Sequence, residues 1–156
     1  MSQGIASNAD AELILKLYEL RTETVMRQAR AWITGEFWPA TADEFFVVQN
    51  DFGSQKNAWL RQVVTYWEMA ASLVLHGALS ADLFVDCNPE PFYILAKLAP
   101  ILPDIHAKQP TYFSKTLQLI DNHQAATARY EAMKKNVEAR RQTRSADWLH
   151  QPKVSV

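Results

Sequence analysis

The sequence predicts an all-α fold, a single-domain helical bundle of about five to seven helices. Three observations carry that expectation. The chain has only four glycines in 156 residues, and three of them (Gly35, Gly53 and Gly77) stand where an apolar helical pattern stops. Apolar residues recur at three- and four-residue steps along most of the chain. Small polar residues stand at the starts of several of these patterns, where a side-chain oxygen can accept a free backbone amide. The composition, 48% apolar and 21% charged, is that of an ordinary globular domain. A chain of this length holds a sizeable core without metals or disulfides.

From Asp10 to Thr34 the apolar set Leu13, Ile14, Leu17, Leu20, Val25 and Trp32 predicts one long amphipathic helix, with Glu23 and Arg27 as an i,i+4 pair on another face. Thr41-Ala42-Asp43-Glu44 reads as a capping box opening a short helix that ends before Gly53. Phe45-Phe46-Val47-Val48 has strand propensity, but the cap and the lack of a partner strand favour helix. The segment from Ser54 to His76 is the most apolar and is expected at the centre of the bundle. Ser80 caps a short helix to about Asp86, and Asn88-Pro89-Glu90 opens another that Pro100 and Pro103 disturb. From 111 to 141 a seam of Thr116, Leu119, His123, Ala126, Tyr130, Met133 and Val137 predicts one long C-terminal helix. The domain is expected to span residues 1–142, followed by a basic, mobile tail from 143 to 156 in which Trp148 and Leu149 are the only large apolar groups.

Charge is divided unevenly. Residues 1–104 carry 7 basic and 13 acidic side chains, a net of -6, and residues 105–156 carry 9 and 4, a net of +5. Weak, salt-sensitive polyanion binding by the tail would follow from this, but no nucleic-acid recognition motif accompanies it. The lone Cys87 and the lack of a signal-like or spanning segment fit a cytoplasmic protein, with no membrane partner expected. No phosphate loop, dinucleotide fingerprint, nucleophile elbow or zinc motif occurs, and the four histidines are scattered. Hence no catalytic residue, metal or cofactor is assigned.

The one polar constellation lies on the central segment, where Asn57, Arg61, Thr65, Glu68, Ser72 and His76 recur at steps of four, four, three, four and four. Glu68 sits among Tyr66, Trp67 and Met69, where a lone carboxylate is expensive. The expected answer is an ion pair with Arg21, which borders the apolar stripe of the first helix; a solvated face and a ligand site are the alternatives. Arg21, Arg61, Glu68 and His76 are therefore the candidate polar site.

The string Asn57-Ala58-Trp59-Leu60-Arg61-Gln62-Val63-Val64-Thr65-Tyr66-Trp67-Glu68, followed by His76-Gly77-Ala78-Leu79-Ser80, resembles small bacterial all-helical proteins grouped as a domain of unknown function. The resemblance spans about residues 10–105. It implies an all-helical cytosolic domain and brings no activity or cofactor.

Two functions are left standing. The first is a non-enzymatic interaction or scaffold protein that self-associates. A helix over 111–141 would be about 46 Å long, more than the ~39 Å breadth of a compact domain of this size. Tyr130, Met133 and Val137 on its far part would then form the interface. The second is a small-molecule-binding or enzymatic domain with Glu68, Arg21 and His76 lining a pocket among Trp59, Tyr66 and Trp67.

Overall fold

The computed structural model describes residues 5–147, and every regular element among them is helical. In order these are α1 (Asn8–Arg21), α2 (Thr24–Gly35), α3 (Ala42–Gln49), α4 (Gln55–Leu75), α5 (Ala81–Cys87), α6 (Glu90–Leu98), a single 3-10 turn (Ala99–Ile101), α7 (Leu102–Lys108), α8 (Ser114–Asn122) and α9 (Gln124–Asp147). The count exceeds the expected five to seven largely because two long patterns each break into two helices.

The first break is at Thr22–Glu23. Glu23 does not pair with Arg27 along one helix; its carboxylate caps α2 by accepting the Met26 amide at 3.0 Å. Arg27 turns to the Thr22 carbonyl at 2.6 Å. The second break is at His123, whose backbone is extended. The Thr127 hydroxyl donates to the Ile120 and His123 carbonyls, satisfying acceptors that the break leaves open. The last helix is thus two elements, and the premise of a single 111–141 rod fails. A helix of 24 residues, α9, is about 36 Å long.

Caps fix the remaining boundaries. The Thr41 hydroxyl accepts the Glu44 amide at 3.2 Å and the Glu44 carboxylate accepts the Ala40 amide at 2.8 Å, so Phe45-Phe46-Val47-Val48 is helical. Gly77 ends α4 in the left-handed conformation (φ 74°), with Ala78 N–H on Leu73 O and Gly77 N–H on Val74 O. Gly35 remains helical as the last residue of α2.

A continuous apolar core joins α4 and α6 to their neighbours. The α4 helix packs on α2, α3, α5 and α8, while α6 packs on α9 and α2. Of these two, α6 is the more enclosed: seven of its nine residues are buried, whereas α4 leaves Met69 45% exposed and Trp59 half-buried. The 54–76 helix is thus central, as expected, with four helices packed on it, and α6 is a second, more enclosed helix beside it.

The α9 face carrying Ala126, Tyr130 and Val137 is buried within the chain, and Met133 packs beside it. This corrects the expected interface, because α6 and α8 already cover that seam. The boundary expected at residue 142 falls inside α9; Trp148 and Leu149 lie outside the described residues.

Candidate functional site

The polar stripe of α4 holds neighbouring helices at Asn57 and Glu68 and is exposed at Arg61, Thr65 and His76. Asn57 is fully buried and donates its side-chain amide to the Val48 and Gln49 carbonyls, closing the C-terminus of α3. Arg61 is exposed and bonds Asn57 Oδ1 at 2.9 Å. Half-buried Glu68 accepts the backbone amides of Lys115 and Thr116, both at 2.9 Å, and the Thr116 hydroxyl at 2.7 Å. A carboxylate at the start of α8 is matched to the free amides and positive end of that helix. His76 is exposed at the C-cap of α4, its ring on the Ser72 carbonyl.

Arg21 does not pair with Glu68. Its guanidinium lies 4.9 Å from the centroid of the Tyr18 ring and 5.9 Å from that of Trp67, and reaches Asn88 Oδ1 at 3.4 Å. The expected pair fails because the start of α8 supplies Glu68 with three donors. Among the described residues, Arg21, Glu68 and His76 each bond to different partners and none of them pairs with another. A largely shielded ion pair that does cross helices is Arg30–Glu90, at 2.6 Å.

A different constellation gathers at the C-terminal end of α2. Four side chains from three parts of the chain take up its open carbonyls. Lys97 Nζ donates to Ile33 O and Thr34 O, Tyr93 Oη to Thr34 O at 3.3 Å, Trp38 Nε1 to Gly35 O at 3.0 Å and Arg144 Nη1 to Gly35 O at 2.6 Å. Cations there complement the negative end of the helix.

Trp38 is the centrepiece. Lys97 Nζ lies 4.3 Å from its ring centroid, and the Arg144 and Arg141 guanidinium carbons at 5.1 and 5.7 Å. Lys97 is only 3% exposed. Burial, then the Arg144 and Arg141 charges, pull its ammonium down to about 7.

Two hollows meet at Trp38. The first, about 540 Å³, has walls of Trp32, Phe37, Trp38, Pro39 and Val48 and a rim that includes Arg141 and Arg144. Glu36, Glu44 and Lys56 also border it. The second, about 500 Å³, shares Trp38 and Arg144 with the first and is also lined by Tyr93, Arg140 and Thr143. Aromatic walls with a few fixed charges suit a small molecule that has an apolar body and a polar end.

A family model described as a domain of unknown function (DUF4760) matches residues 6–123. The chain belongs to the DUF4760 family. The DUF4760 match takes in α1 to α8, and with them Trp32, Phe37, Trp38, Tyr93 and Lys97; the arginines of α9 follow it. No curated protein and no solved structure matches the chain. Among the described residues, no group of three or more His, Cys, Asp or Glu side chains is placed to hold a metal ion, and no helix is long and apolar enough to cross a membrane.

This cleft is not legible in the sequence, where Arg140, Arg141 and Arg144 read as mutually repelling residues. The available signal was the i,i+4 spacing of Arg140 and Arg144, which puts both on one face if the helix continues.

Proposed function

We propose that this DUF4760 protein is a non-enzymatic binding domain for a small molecule with an apolar or aromatic body, taken up in the cleft beside Trp38. The observation that carries this reading is the cavity itself: about 540 Å³, walled by Trp32, Phe37 and Trp38, with Arg141 and Arg144 at its edge. That volume lies within the range of about 300–1,000 Å³ common to ligand sites. The reading keeps the ligand-binding class suggested by the sequence and moves it away from Glu68, Arg21 and His76. We place the protein in the cytoplasm, on the strength of its single cysteine, Cys87, which cannot form a disulfide within the chain.

The test is calorimetric titration with 1-naphthol. Saturable one-to-one binding to the wild type, lost when Val48→Trp fills the wall, supports the reading. Absence of saturable binding, or equal binding by the variant, overturns it.

Self-association is a second reading, and it needs a new surface now that Tyr130, Met133 and Val137 are packed within the chain. Leu15, Tyr18 and Leu20 of α1 are 68%, 57% and 45% exposed, and this helix buries only Leu17. Sedimentation of Leu15→Glu/Tyr18→Glu beside the wild type tests it: a dimer that the double variant dissolves supports it, and a wild-type monomer at high micromolar concentration contradicts it.

A further inference from the structure

We infer that the ligand carries a dianionic phosphate monoester head, lodged between Arg140 and Arg144, with its apolar body running past Trp38 into the aromatic cavity. This rests on the cleft reading above and names the chemical class the cleft selects.

The two hollows differ in charge. The larger is bordered by Glu36 and Glu44 as well as by cations, whereas among the described residues Arg140 and Arg144 are the only charged side chains that line the smaller. Arg140 makes no hydrogen bond or ion pair among the described residues; its guanidinium lies over Tyr93, 5.5 Å from the ring centroid. Arg144 spends Nη1 on Gly35 O and has no carboxylate partner among those residues. Each guanidinium offers five N–H donors, so most of this capacity is open. Arg141 is different: its Nε faces Glu138 Oε2 at 3.6 Å and Nη2 donates to Lys97 O at 2.8 Å.

Two guanidinium forks one helical turn apart create a local positive potential that a doubly charged group offsets better than a single charge. The tetrahedral oxygens of a phosphate match guanidinium forks two at a time. The Thr34 and Thr143 hydroxyls donate to the Arg30 and Ala139 carbonyls, which uses their O–H groups and leaves the two arginines as the main anion donors. Trp38 and Arg144 line both hollows, so a molecule lying across Trp38 would place its head by Arg140 and its body against Phe37 and Pro39.

The experiment compares 1-naphthyl phosphate, 1-naphthalenesulfonate and 1-naphthol by titration calorimetry at pH 7.5 on the wild-type chain and on Arg140→Gln. The phosphate should bind at least about tenfold tighter than the alcohol, with the monoanionic sulfonate between them. Exposed Arg140 can be replaced without disturbing the core. Its loss should remove most of the phosphate's advantage and leave the naphthol affinity unchanged. Equal affinities for phosphate and alcohol would overturn the head-group assignment while the cleft reading stands, and a sulfonate as tight as the phosphate would overturn the dianion. No binding of any of the three defeats the cleft reading and this inference together.

Discussion

Arg30 and Glu90 form a two-pronged ion pair across α2 and α6: Arg30 Nε reaches both Glu90 oxygens at 2.9 Å and Nη2 reaches Oε2 at 2.6 Å. Trp67 Nε1 adds a third donor to Glu90 Oε1 at 3.1 Å, and Arg30 Nη1 also reaches the Arg21 carbonyl. With side chains 23% and 11% exposed, the pair is largely shielded from water. Its role is to lock α2, α4 and α6 in register, because each donor comes from a different direction.

Glu90→Ala leaves Arg30 and the fully buried Trp67 indole without their acceptor. We expect a loss of about 2–4 kcal/mol in urea unfolding, below the fully dry limit because the pair is not completely enclosed. A double-mutant cycle with Arg30→Ala should return a coupling of about 1–3 kcal/mol. Coupling near zero would show that the two charges act independently.

Glu68→Ala should cost about 1–2 kcal/mol, the typical price of removing a helix cap, and Glu68→Gln less, since an amide oxygen still accepts. Arg21→Ala should add to it without coupling, because the two side chains do not meet. A cycle between them that gave more than about 1 kcal/mol would restore the ion pair expected from sequence.

Tyr130→Glu and Val137→Glu should unfold or strongly destabilise the chain rather than change its assembly state, since both side chains are at most 9% exposed in the core. Thermal melts with light scattering on the same samples check this: a stable, smaller particle is the contrary outcome.

Lys97 gives a pH dependence of known sign. Its ammonium titrates near 7 in the folded chain and near its ordinary value of 10.5 when unfolded. Below about 7 both states are charged and burial of the charge costs fully; between 7 and 10.5 the unfolded state holds more protons, so stability rises with pH. Lys97→Met should flatten the increase in urea midpoint between pH 7 and 9.5. A wild-type midpoint that falls over that interval would contradict the buried, depressed lysine.

Much of this fold can be read from local chemistry. Thr41, Ser54 and Ser80 each accept an amide at a helix start, and Gly77 closes α4, so these boundaries are visible one turn at a time. The breaks at Glu23 and His123 are less visible because helical spacing runs straight through them. His123 is 7% exposed and meets Asp82 of α5 at 3.4 Å, a contact that only the folded chain creates. Glu68 is legible as a carboxylate in need of partners, but two of its three donors are backbone amides, which carry no sequence signature. The cleft depends on the end of α2 meeting α6 and α9, from residues more than forty positions apart, and no local pattern reports such a meeting.

The most direct test of the cleft is a heteronuclear NMR titration with 1-naphthyl phosphate. Amide and indole shifts should move at Gly35–Ala40, Val48 and Arg140–Arg144, with the Trp38 indole most affected, while Arg61, Glu68 and His76 stay in place. Shifts centred on the α4 stripe, or no saturable change anywhere, would contradict a ligand site at Trp38.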